Sequence, residues 1–202
     1  MSDKESYREV YHHLGILVVA KPSGLPSQST RKQDDNLYDM LKQKHAYVGL
    51  HHRLDRPASG LMLFCTDRRC NATIANAFRQ RRIKRKYKAF VLGSPPKEGV
   101  WEMPIDGKAA QSTYKVLTQY AGFALVDVEL QTGRTHQIRK HAQMAGHPIL
   151  GDRRYGGAAG RLWPRLCLHA AELHFKHPMT KEDVECQCQL PLDMADVATQ
   201  LG

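Results

Sequence analysis

The stretch ALVDVEL, residues 124–130, constrains the fold more than any other part of the chain. Ala124, Val126, Val128 and Leu130 fall on one side of an extended backbone, and Asp127 and Glu129 fall on the other, because successive side chains of a strand point to opposite faces. Such a segment covers a core with one face and meets water with the other, as antiparallel sheets do. LGILVVAK, LMLFC, KYKAFVLG, STYKVLTQ, LHAAELHF and VECQCQL also read as strands, the first two as continuous apolar runs buried on both faces. Helical patterning is confined to three stretches. DDNLYDMLKQKH is short, RRCNATIANAFRQRRI follows a cap at Thr66–Asp67, and THQIRKHAQMAG runs from a cap at Thr135 to Gly146. Strands outnumber helices without regular β-α alternation. The expected class is therefore α+β, a mixed, mainly antiparallel central sheet flanked by helices and loops, in a single domain whose core spans about residues 14–191.

Charge narrows the partners. Thirty Lys plus Arg against 20 Asp plus Glu give a net charge of +10 and a pI near 9.5, which favours a polyanion, either nucleic acid or an anionic membrane surface. No apolar run reaches the length of a bilayer span, and MSDKESYREV has no apolar signal-peptide core, so the expectation is a cytoplasmic protein without membrane association. Nothing in the sequence asks for more than a monomer. Five cysteines, an odd set without C-x-x-C spacing, argue against a disulfide framework and a zinc finger, and alternation in VECQCQL turns Cys186 and Cys188 inward. His136 and His141 are five apart, a spacing that does not bring two rings to one ion on a helix, and no metal site is expected. YGGAAG is not a dinucleotide fingerprint, and Gly107–Lys108 lacks the rest of a P-loop. Any catalysis is expected to be free of cofactors.

Two stretches stand out for chemistry. Residues 79–88, RQRRIKRKYK, hold seven basic side chains among ten at a predicted helix-to-strand junction. A run of this kind is usually a solvated surface. Here its concentration favours phosphate contacts, with Tyr87 either a stacking surface for an unpaired base or an ordinary strand tyrosine. The second stretch is HHRLDRPASG, residues 51–60, which sets Asp55 between two arginines in an irregular loop ahead of the LMLFC strand. A salt bridge with Arg53 or Arg56 is one reading. A catalytic carboxylate is the other: a loop held by rigid elements suits catalysis, and neighbouring guanidinium groups keep an acid ionised, as a nucleophile or base requires. A glycosidase needs two carboxylates, and no second acid stands in a comparable motif. A rearrangement inside one bound nucleoside needs only one.

The blocks HRLDRPASGLMLF, KRKYKAFVLG, TGRTHQIRKHAQMAGHPILGDRRYG and LCLHAAELHFKHP, in this order, resemble the RluA-like family of RNA pseudouridine synthases. The resemblance implies that Asp55 is the catalytic residue that takes part in breaking the bond between uracil N1 and ribose C1′, after which the base turns and rejoins through C5. It implies that Tyr87 packs on the target base, that Arg139 pairs with the catalytic carboxylate, and that Leu168 is an apolar contact to the base. With these, Arg53, Arg56, Arg82, Lys84, Lys86, Arg134 and His136 are expected on the RNA substrate, either tRNA, ribosomal RNA or both. The chain departs from the family where Ala58 replaces the usual Thr and where KPSGLPSQS lacks a histidine after its glycine. Some members carry a small RNA-binding module in front; with about a dozen residues ahead of the first core strand, none is expected here. The competing reading is a non-catalytic RNA-binding or RNA-folding protein on the same scaffold.

Overall fold

In the computed structural model, residues 7–29 and 35–201 are described. Residues 1–6 of the stretch read for a signal-peptide core, and Asp34 at the start of the first predicted helix, lie outside them. The chain forms two compact units, each drawn from two stretches of sequence: residues 1–84 with 172–188, and residues 85–171 with 189–202. Among the described residues no helix is long and apolar enough to cross a membrane.

The first unit is built on β1 (Arg8–His13), β2 (Ile16–Lys21), β3 (Gly49–Leu50), β4 (Ser59–Cys65), the later part of β9 (Leu168–Lys176) and β10 (Asp183–Gln187). β2 lies between β1 and β4, β3 also pairs with β4, β10 pairs with β9, and every one of these pairings is antiparallel. The continuous apolar runs follow from two-sided burial. Ile16, Val18, Leu61, Leu63 and Cys65 pack with Cys70 and Ile74 of α2 (Arg68–Arg79) in one cluster, while Leu17, Val19, Met62 and Phe64 point to the opposite face and are equally inaccessible. α2 starts where expected, with the Asp67 carboxylate accepting the Arg69 N–H at 2.8 Å. α1 (Leu37–Lys44) is capped by Asn36 and buries Leu37 and Leu41. Cys186 is buried as alternation predicts; Cys188, just past the end of β10, is half-buried against the same cluster.

β1 was not legible as a strand. It is a half-exposed edge strand turned into β2 by Leu14 and Gly15, both at positive φ. Gly15 is also required by space, because a Cβ there would lie 2.4 Å from the Cβ of Asp67.

The second unit contains β5 (Lys84–Leu92) from its second residue onward, β6 (Glu98–Trp101), β7 (Ser112–Gln119) and β8 (Phe123–Leu130) in the order β5-β8-β7-β6, all antiparallel. β8 realises the predicted alternation, with Ala124, Val126 and Val128 fully buried. On its other face Asp127 sits opposite Lys88 and Glu129 opposite Lys86, so two cations of the basic run have acids as cross-strand neighbours. β6 and the C-terminal helix α4 (Leu192–Leu201) were not anticipated; β6 is only four residues long, and α4 carries its stabilising contacts through Met194 and Val197.

The predicted helix at 135–146 is shorter at its start than its sequence suggests. α3 spans Gln137–Met144, and the residue before it is His136, in a left-handed conformation and without a side-chain cap. Thr135 is therefore not the cap. The Gln137 side chain takes over the work, accepting from Arg134 N and Thr132 Oγ1 and donating to Gln111 O and Ser112 Oγ. Gly146, at positive φ, ends the helix as expected.

Candidate active site

In the first unit, Asp55 stands on a four-residue turn closed by Ala58 N to Asp55 O at 3.0 Å. Its flanks, Leu54 and Ala58, are buried, and Asp55 itself is half-exposed. The KPSGLPS segment holds this turn with unusual thoroughness. Ser27 Oγ donates to Leu54 O at 2.7 Å and accepts from Leu54 N at 3.0 Å. Ser23 Oγ donates to Pro57 O at 2.7 Å, Gly24 N donates to Arg56 O at 2.8 Å, and Arg56 Nε returns a bond to Gly24 O at 3.0 Å. At the centre is Lys21, only 1% exposed, whose Nζ donates to Pro22 O, Leu25 O and Ala58 O at 2.7–2.8 Å and reaches Arg56 O at 3.3 Å. An ammonium in such a ring of carbonyls fixes both segments at once, because it carries three donors and each buried carbonyl needs one.

Lys21 is the residue that sequence reasoning missed. The signal was a lysine closing a buried apolar run, in LVVAK. Ala58 brings no hydroxyl to the turn; the hydroxyls that hold it come from Ser23 and Ser27. Behind the turn, His52 stacks on Phe78 with ring centroids 4.8 Å apart, and its Nε2 accepts from Leu63 N at 2.8 Å.

In the second unit, Arg139 is a buried residue of α3. It is 5% exposed, and its Nε and Nη2 donate to the two carboxylate oxygens of Asp152, each at 2.8 Å. Burial alone would raise the Asp152 carboxyl, but the hydrogen bonds and charge of Arg139, with the backbone N–H groups of Tyr155 and Arg154, hold it below the usual carboxylate range. Asp152 follows a segment tied into the unit by Leu150 N to Phe90 O and Cys167 N to Leu150 O, both at 2.9 Å. The glycine-rich stretch serves close approach: a Cβ on Gly156 or Gly160 would lie 2.5 Å from the Asp152 carbonyl oxygen. The Tyr155 ring lies 5.0 Å from the Arg139 guanidinium carbon, and its hydroxyl meets His136 Nδ1 at 2.8 Å. Arg134 is anchored by Nε to Ala109 O at 3.0 Å.

Tyr87 is buried in β5 opposite Val128, and Leu168 is buried at the start of β9. Lys86 is half-buried, whereas Arg53, Arg56, Arg82 and Lys84 are exposed. Burial pushes the thiols of Cys65 and Cys167 up to about 12 and that of Cys186 up to about 11, which makes them inert packing groups. Sequence spacing also gave no sign of a cluster at Glu172, His174 and Glu185, whose ligand atoms lie within 4.8 Å of one another, because those residues come from two strands.

An acidic turn braced by a buried lysine, and an arginine braced by a buried aspartate, are carried by an antiparallel α+β fold that is shared with known proteins. Residues 15–144 match the sequence profile of the RNA pseudouridylate synthase family, and the chain belongs to that family. The dual-specificity RNA pseudouridine synthase RluA of Pasteurella multocida is 34% identical over 199 residues, covering 88% of this chain and 91% of the relative. The ribosomal large subunit pseudouridine synthase D of Nitrosomonas europaea is 36% identical over 171 residues, covering 73% of this chain. This chain spans about half the length of several such relatives, 49% in the Nitrosomonas case. The solved structure of human RNA pseudouridylate synthase domain containing 1 superposes with a TM-score of 0.78 at 26% identity, over 95% of this chain and 86% of that one.

Proposed function

We propose that this protein is a cofactor-independent RNA pseudouridine synthase that isomerises particular uridines in tRNA, ribosomal RNA or both, with Asp55 as its catalytic carboxylate. The observation that carries the reading is the brace around the Asp55 turn. A buried ammonium and two hydroxyls fix the backbone on both sides of one half-exposed acid, which is the support expected of a group that must meet a reacting atom in a set geometry. The target uridine leaves its stack to reach the carboxylate. The N1–C1′ bond breaks, the base turns, a C5–C1′ bond forms, and the proton lost from C5 is balanced by one gained at N1. Tyr87 and Arg139 are the other catalytic residues of this reading. The exposed Arg53, Arg56, Arg82 and Lys84 supply phosphate contacts. The protein acts in the cytoplasm as a monomer.

The test is Asp55→Asn, with pseudouridine mapped across total RNA in cells that carry either form. Loss of the modified positions with RNA affinity and thermal midpoint preserved supports the assignment. Full modification by the variant removes it and leaves the RNA-binding reading in its place.

A further inference from the structure

Glu172, His174 and Glu185 lie in the first unit, and no step of the proposed reaction uses them. In the register of β9 with β10, His174 is directly opposite Glu185, and Glu172 is two residues earlier on the same strand, hence on the same face. The intervening Leu173 and Phe175, and Cys186 across from Leu173, point to the other face and are 1%, 3% and 4% exposed. The core therefore fixes the backbone from which all three side chains project.

Nε2 of His174 is 3.4 Å from Glu185 Oε1 and 3.6 Å from Glu172 Oε2. The same atom is buried from solvent and makes no hydrogen bond. Gln187 Nε2 donates to Glu185 Oε1 at 2.8 Å and so orients that carboxylate. We propose that Glu172, His174 and Glu185 form a divalent transition-metal site, and that zinc is the ion it fits.

Spacing and ligand type both favour zinc. The edge of a tetrahedron is about 1.63 times its centre-to-corner length, so bonds of about 2.0–2.2 Å to zinc put neighbouring ligand atoms about 3.3–3.6 Å apart. The two imidazole–carboxylate separations fall in that window. One imidazole and two carboxylates are borderline donors that suit zinc, whereas magnesium and calcium ask for oxygen alone. Two carboxylates with a neutral imidazole also balance the charge of a divalent ion. This matters because His174 and Glu185 share the wall of a cavity of about 620 Å³ with Arg82, Lys84, Lys176 and Lys181. A neutral metal centre can sit beside those cations where a bare divalent ion could not. Its fourth position takes water.

The experiment strips the full chain with a chelator and titrates it with zinc chloride alone, by calorimetry and by thermal melting. The expected result is saturable uptake with a raised thermal midpoint, no uptake of magnesium, and tetrahedral visible bands when cobalt(II) replaces zinc. His174→Asn and Glu185→Gln each weaken zinc binding by at least about tenfold. Both positions face away from the core, so far-ultraviolet circular dichroism verifies that the variants fold. Failure of the stripped protein to take up zinc overturns the proposal, as does unchanged uptake by the His174→Asn/Glu185→Gln double variant. Because the readout is metal uptake, the result is independent of whether Asp55 is catalytic.

Discussion

The braces around Asp55 and Arg139 solve the same problem by opposite means. In the first unit a buried cation donates to several neutral backbone carbonyls, so one side chain controls the path of two loops. In the second a buried cation is satisfied by a buried anion, and the pair controls the direction of one guanidinium edge. The first device fixes backbone and the second fixes a side chain. The lesson concerns failure: removing Lys21 strands several carbonyls, whereas removing Asp152 strands a charge.

That contrast yields an ordered set of expectations. The largest is for Lys21→Met, which keeps the length and apolar stem but abandons its carbonyl partners. We expect a loss of about 3–5 kcal/mol in denaturant unfolding together with loss of pseudouridine formation, since several buried acceptors go unmatched at about 1–3 kcal/mol each. A variant as stable and active as the parent would show that the ammonium is not the brace. Next comes Asp152→Asn, which leaves the Arg139 charge buried and should cost about 3–5 kcal/mol. Asp152→Asn combined with Arg139→Met should recover part of that loss without recovering activity. If the double variant is no more stable than the single one, the pair is not the energetic unit described here.

Acid tests the second brace. The depressed Asp152 carboxyl contributes stability that is complete above about pH 4, the ordinary carboxylate value, and is lost as pH falls through its lower folded value. A second group acts earlier. His141, fully buried between Ser112 and the Met103 carbonyl, has its pKa lowered by burial, so its contribution is complete above about pH 6.5 and declines as pH falls below that. Amide exchange at α3 should therefore quicken as pH falls below about 6.5; protection unchanged down to about pH 5 would remove His141 as the sensor. The smallest effect is expected at Asn36, whose side chain caps α1. Asn36→Ala should lower stability by about 1 kcal/mol in denaturant unfolding.

The local rules that sequence obeys were legible because they depend on neighbours in the chain. The alternation of Ala124, Val126 and Val128, the Asp67 cap and the stop at Gly146 all appear as predicted, and Asp55 lies on a loop ahead of β4 as expected. What escaped were contacts between distant residues. Nothing around Thr135 reveals that Gln137 will take over the helix start through Gln111 and Ser112, about 25 residues away. Edge strand β1 has no apolar face of its own strong enough to announce it. Glu172 and His174 look like ordinary surface residues until β10 brings Glu185 beside them.

The sequence by itself determined the α+β class, the covered faces of the strands and the identity of the acid on its loop, because side-chain period and motif order are properties of the chain. Only the tertiary structure decided that Lys21 would hold the loop and that Asp152 would hold Arg139. A buried charge has no preferred partner until folding excludes water and leaves it a few polar atoms within reach.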